Sequence, residues 1–379
     1  MPDHTCIEKF RSRLTPDTQR QLANLIAAYA AKPNYANPTD MDIDSTIQQA
    51  NISYPSRANL LVKTAILAKR LATPLKKLTQ REYSIPLSRF KAMALEYFNL
   101  KRKAQVCEPL LKNLWREVSS SVTEALKDAY QLIPIMAKSK NWMVRIAYEQ
   151  LSWRGAAFLE KLYEEWFEAD IAAPRPAIYS LHAREVMAFN KQKLGKGVEY
   201  GRAYQVGRIG GNFLIVGRCE SIHMPDAPSL PPMIKLHQHL FGKGRLKSTA
   251  VDKGYYALSN EEFLQAEGVE HIYLPRPNRK LNAPPPSLKG EKRTEVHNRR
   301  SGIEPLIGHS KHGGQLGRSR MRSDRTTLSA GYAAVLGFNL RQLQRHLTGE
   351  VRLNEAVLAK NDQNLTMKAK YWTLLWRDV

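Results

Sequence analysis

Cysteine is scarce in this chain: three residues in 379, Cys6, Cys107 and Cys219, far apart and odd in number. No CxxC pair or Cys/His cluster accompanies them, which argues against a disulfide framework or zinc finger and fits reduced thiols in a cytosolic setting. Long apolar runs are lacking too. "LIAAYAA" and "AGYAAVLGF" are the longest, well short of the ~20 residues that cross a bilayer. The opening "MPDHTCIEKFRSR" has no signal-type apolar core. The expectation is a soluble, cytoplasmic protein with no membrane partner. RNA-recognition signatures, an aromatic RNP-like strand or a GXXG loop, are not found.

Acidic residues are also in short supply, 35 against 58 Lys and Arg, for a formal charge of +23 and a pI near 9.9. Such a surplus suits a nucleic-acid partner, because neutralised phosphates release condensed counterions. A hydrophobic fraction of 43% supports a true core and excludes a disordered basic tail.

Along the chain, residues 5–31 read as helical with a break near Thr15-Pro16, and "KPNYANPTD" is turn chemistry. "MDIDSTIQQANI" alternates like a strand over about 41–48. From about 58 to 170 the pattern is helical; Leu111, Leu114, Trp115, Val118, Val122, Ala125, Leu126 and Ala129 follow amphipathic spacing. Between Arg57 and Ala104 twelve Lys or Arg stand against two Glu, a one-signed run that suits either a solvated face or a DNA-facing one. Strand signals follow in "AIYSLHAREVMAF", "VEYGRAYQVGRI" and "NFLIVGRCES", the last two joined by Gly210-Gly211 like a hairpin. A helix near 230–241, short strands at "STAVD" and "HIYLPRP", and two further helical stretches complete an α/β chain with a mixed sheet.

Three carboxylates stand where elements end in polar positions: Asp44 in "DIDST", Asp252 in "TAVDKG" and Glu304 in "HNRRSGIEPLIGHSK". Acids from separate elements can share Mg²⁺, which takes a few carboxylates together with water and phosphate oxygens. Each has a plainer reading. Asp44 could cap a turn, Asp252 could belong to a D-K-G turn, and Ser301-x-x-Glu304 matches a capping box. Arg300, Glu304 and Lys311, four and seven residues apart, would fall within about 40° of one another on one helix. That stripe sets a carboxylate between two phosphate-binding cations, which a capping box does not require.

At these residues the sequence resembles bacterial insertion-sequence transposases of the DDE type, the ISNCY and neighbouring groups. "HNRRSGIEPLIGHSK" is similar to their Y-x2-R-x3-E-x6-K pattern with His297 in place of Tyr, and "AVDKGYY" to their second-Asp block. "DIDSTIQQANISYPSRANLL" resembles the first-Asp block, and "IYSLHAREVMAFNKQKLGKGVEYGR" the block between, with Arg184 where Pro and Tyr200 where Phe are usual. The four blocks span about 35–345 in order.

The resemblance implies an RNase H-like core with Asp44, Asp252 and Glu304 as catalytic, metal-binding acids for two Mg²⁺ or Mn²⁺ ions. It divides the chain into an N-terminal segment (1–38), a first strand (39–50), a helical insertion (51–175), the rest of the core (176–350) and a tail (351–379). Double-stranded DNA, both transposon ends and target, is the implied partner, bound by a homodimer at the nucleoid. Arg300, Lys311, Lys193, Lys196, Arg202, Arg318 and Arg320, with Arg322, are the expected phosphate contacts, and His182, Glu185 and His297 possible supports. Asp226 is a spare acid. Relatives carry more helical sequence ahead of the first-Asp block than the roughly forty residues here. The alternative expectation is therefore a truncated or domesticated copy that binds DNA without cutting it.

Overall fold

Alternation builds the central strand. In β1 (Asn37–Gln49) Met41, Ile43 and Ile47 are buried, and Asp40, Asp42 and Asp44 fall on the opposite face. The structure is a computed structural model that describes residues 3, 5–6, 10, 13–132, 138, 140–168, 177–190, 197–220, 224–276, 288–321 and 323–349. Its chain divides into two compact units: residues 1–49, 201–321 and 325–379, and residues 50–200 with 322–324.

The first unit is α/β with a mixed sheet. β1 pairs antiparallel with β3 (Val198–Gly210), which pairs antiparallel with β4 (Phe213–Val216). On its other side β1 pairs parallel with β5 (Ser248–Ala250), and β5 with β6 (His271–Tyr273). With the short β2 (Met187–Asn190) the order is β2-β3-β1-β5-β6, β4 lying on β3. β2 and the first residues of β3 belong to the second unit. The β3–β4 hairpin turns at Gly211 and Asn212, both at positive φ (80° and 62°), as a two-residue hairpin turn demands. The expected strand at "AIYSLHAREVMAF" is confined to its last residues, Met187–Asn190.

Helices cover this sheet. α1 (Pro16–Ala31) starts where the break was expected, with Thr15 Oγ1 accepting from Thr18 N at 3.1 Å. The helix after β4 (Asp226–Phe241) seals one face with Leu230, Met233 and Ile234 against Met41, Ile43 and Ile215. The long helix Asp324–Thr348 covers the other with Tyr332, Val335 and Phe338 against Tyr204, Val206 and Leu214. Asn339, fully buried, accepts from Leu214 N (2.9 Å) and donates to Leu214 O (2.7 Å) and Ala23 O (2.9 Å). It ties this helix, β4 and α1 together with no amide atom left unpaired.

The second unit is helical. Arg57–Thr79, Leu87–Arg102, Glu108–Gln131, Trp142–Gln150 and Ala156–Phe167 enclose their own core around Leu61, Leu71, Leu75, Phe90, Leu114 and Val118. Of the eight residues at amphipathic spacing in Glu108–Gln131, six are buried and Trp115 and Leu126 are half-buried against the same core. Of the twelve cations between Arg57 and Ala104, all but the half-buried Lys63 are exposed. Among the described residues no helix is long and apolar enough to cross a membrane.

Candidate active site

β5 leads Asp252 to the edge of β1. The parallel register sets Asp40 beside Ser248 and Asp42 beside Ala250; carried two residues on, it sets Asp252 beside Asp44. Asp44 Oδ1 accepts from Ser45 N at 2.8 Å, and Asp252 caps the 3₁₀ turn Lys253–Tyr255 by accepting from Lys253 N at 2.7 Å. The turn-forming role is therefore present for Asp252, whereas Asp44, inside β1, caps no turn. Each uses one carboxylate oxygen and leaves the other, and those second oxygens turn to the same cation. Arg300 Nη2 lies 3.9 Å from Asp44 Oδ2 and 3.8 Å from Asp252 Oδ2, and Nη1 lies 3.8 Å from Glu304 Oε1.

Arg300 and Glu304 do not share one helix. The chain forms Gly290–Ser301, breaks at Gly302, and continues as Ile303–His312. The expected Arg300–Glu304–Lys311 stripe is thus split, with Arg300 in the last turn of the first helix and Glu304 and Lys311 in the second. Ser301 is no cap, because Gly302 occupies that position without a side-chain bond. The Arg300–Glu304 contact survives the break; the strict stripe to Lys311 does not follow from it.

Negative charge is in excess here. Burial pushes the Asp44 carboxyl up to about 6, and repulsion from Asp252 and Asp226 adds to it, while Arg300 and the Ser45 N–H pull the other way. Asp226 starts the helix after β4 and crowds the Asp252 turn: a Cβ on Gly254 would come 3.0 Å from its Oδ2. Gln205 Nε2 donates to Asp226 Oδ1 at 3.4 Å, and the buried Tyr255 hydroxyl donates to Gln205 Oε1. Three carboxylates meet Arg300, and Asp226 adds a fourth negative charge close enough to act on Asp44, a surplus that a divalent cation relieves. Among the described residues no three acids, histidines or cysteines are grouped so as to hold a metal ion as they stand; the three acids share the guanidinium of Arg300 instead.

The other expected contacts scatter. Arg202 is only 2% exposed, so its guanidinium is not offered to a phosphate backbone: it sits inside β3, where alternation turns it inward beside Tyr204. Arg318 and Arg320 are exposed, and Arg318 bridges Gln49 at the end of β1. His297 is exposed, its ring 5.2 Å from that of Tyr273. His182 and Glu185 belong to the second unit, where Ser180 Oγ lies 3.2 Å from His182 Nδ1 and Glu185 N donates to Asp324 Oδ1 at 3.3 Å. Lys193, Lys196, Arg322 and the tail 351–379 lie outside the described residues.

Sequence reasoning passed over Asp42, Arg208, Gln205, Tyr255 and Arg299. One signal was legible: Asp at 40, 42 and 44 places three carboxylates on one strand face, and a buried face with three acids needs cations brought to it. No family profile, curated protein or solved structure matches the chain.

Proposed function

We propose that the chain is a DDE-type DNA transposase on an RNase H-like core, with Asp44, Asp252 and Glu304 as its catalytic acids. The observation that carries this reading is the convergence of those three carboxylates, from β1, from the end of β5 and from a later helix, on Arg300. The sheet supports it: β1 is central, antiparallel to β3 and parallel to β5, so Asp44 in β1 and Asp252 just past the end of β5 come from neighbouring parallel strands.

The donor set suits a hard divalent cation: carboxylate oxygens, excess negative charge and a partly open setting, with Asp252 and Glu304 exposed. Asp44, Asp252 and Glu304 would hold two Mg²⁺ or Mn²⁺ ions, which when bound stabilise the attacking and leaving oxygens of an in-line displacement at phosphorus. Asp44 would hold the cation as a carboxylate, so cation binding competes with the protonation that burial favours. Arg300 and Lys311 orient phosphate oxygens. Water forms the new bond to phosphorus at the transposon end, the bond to the 3′-oxygen breaks, and the freed 3′-hydroxyl then displaces a 3′-oxygen of target DNA. Exposed cations of the helical unit and of the 318–320 strip supply affinity for backbone phosphate.

One observation favours a second reading, a DNA-binding relative that cuts nothing: Arg300 already answers all three acids. The test is supercoiled plasmid with Mg²⁺ or Mn²⁺, with and without EDTA, against wild type and Asp252→Asn. Nicking by wild type alone, abolished by EDTA, is expected. DNA held equally by both proteins in EDTA, with no nicking by either, would establish the binder.

A further inference from the structure

Two adjacent arginines divide the aspartate ladder of β1. Arg300 takes Asp44; Arg299 takes the other two. Arg299 Nε donates to Asp42 Oδ1 at 2.9 Å, and Nη2 lies 2.9 Å from the same oxygen as an ion-pair contact without hydrogen-bond alignment. Nη1 lies 2.7 Å from Asp40 Oδ1 and donates to Ser248 Oγ at 2.9 Å. A single guanidinium therefore grips β1 and β5, the strands that deliver Asp44 and Asp252.

A second guanidinium locks the first. Arg208 Nη1 lies 3.5 Å from Asp42 Oδ2 and donates to the Arg299 carbonyl at 2.7 Å, and its Nε donates to Asn212 Oδ1 at 3.1 Å. The same group fills the space beside Gly302, where a Cβ would come 2.2 Å from Nη1. The helix break that separates Arg300 from Glu304 is thus seated on Arg208. Asp42 is 2% exposed, and a buried ion cluster of this kind is a poor device for stability, since apolar side chains of equal volume usually serve as well or better.

We propose that Asp42, Arg208 and Arg299 form a positioning clamp that holds the strands bearing Asp44 and Asp252 at a fixed offset from the helices bearing Arg300 and Glu304. The proposal rests on the reading of those acids as a cation site. None of the three touches DNA or a metal; they act by fixing the groups that do, as outer partners of metal ligands do elsewhere.

Two variants test it, with Mn²⁺ as the probe in calorimetry and in plasmid nicking. Arg299→Lys keeps the charge, but its single nitrogen cannot reach Asp40, Asp42 and Ser248 together. Gly302→Ala disturbs Arg208 without removing any charge. Both variants are expected to bind plasmid as wild type does, while the Mn²⁺ concentration at half-maximal nicking and the Mn²⁺ Kd rise by about 10–100-fold. Should Arg299→Lys not fold, Gly302→Ala decides. Folded variants with wild-type Mn²⁺ midpoints and affinities would overturn the clamp alone. Wild-type protein that takes up no Mn²⁺ would overturn the site reading, and the clamp with it.

Discussion

Glu304→Gln is expected to lower plasmid nicking by at least ~1000-fold, about 4 kcal/mol of transition-state stabilisation, while leaving the folded protein almost unchanged. Glu304 is the most exposed of the three acids, its side chain 65% accessible, and its fold role is that of an acid in the first turn of a helix, worth well under ~1 kcal/mol at an exposed site. A residue that served only to start the helix Ile303–His312 would shift thermal stability slightly and activity not at all. The Gln variant keeps the size and hydrogen-bonding capacity of Glu304 but removes its charge. Nicking assays beside a thermal melt separate the two roles, and an active Gln variant would return Glu304 to the helix start.

Asp44→Asn is expected to stabilise the metal-free protein as pH rises. Burial holds the folded Asp44 carboxyl near 6 against an ordinary value of 3.8, so the fold favours the protonated form. The stabilisation from that raised value is complete below about pH 3.8 and is lost as pH rises through 6. Above it, wild type carries a partly buried charge, its side chain only 20% exposed, that the amide variant lacks. Relative to wild type in EDTA, the variant should therefore gain about 2–3 kcal/mol between pH 4 and pH 8, a figure in which the attraction of Arg300 is already included. Urea unfolding at the two pH values reads this directly; a gap between wild type and variant that does not change with pH would contradict the buried-charge picture. Saturating Mg²⁺ should reverse the order at pH 8, since only wild type gains from binding.

Local pattern carried much of the architecture. The alternation of Met41, Ile43 and Ile47 marked β1 as a strand with one apolar face, the spacing from Leu111 to Ala129 marked a helix, and Gly211-Asn212 turns the hairpin close to where Gly210-Gly211 suggested. These depend on neighbours in sequence. What escaped depends on partners far away. The capping-box reading of "SGIE" already allowed a helix start inside "HNRRSGIEPLIGHSK", but nothing local shows that Arg208, from β3, seats itself at Gly302. Arg202 reads as a phosphate-binding cation, yet strand alternation turns it fully inside; Arg208, which carries no local signal, is drawn largely inside by Asp42. Arg299 is indistinguishable from Arg300 by composition; the different acids each meets separate them.

The site was legible as residue types, with Asp252 and Glu304 near element ends as expected and Asp44 instead in the middle of β1; its electrostatics were not. That Asp226 sits close enough to raise Asp44, or that Arg300 meets three carboxylates at once, depends on the register between β1 and β5 and on the helix break. Both features bear on one claim, that Asp44, Asp252 and Glu304 are together for a divalent cation.

The most direct test of that claim is calorimetric titration of Mn²⁺ into the purified protein at pH 8, beside Asp252→Asn. Asp252 is exposed and lies two residues past the end of β5, so its loss should leave the fold in place. Uptake by wild type and a Kd raised at least about tenfold in the variant, or about 1.4 kcal/mol, is the expected result. Equal uptake by the two proteins, or none by either, would contradict it and leave Arg300 as the only cation those acids serve.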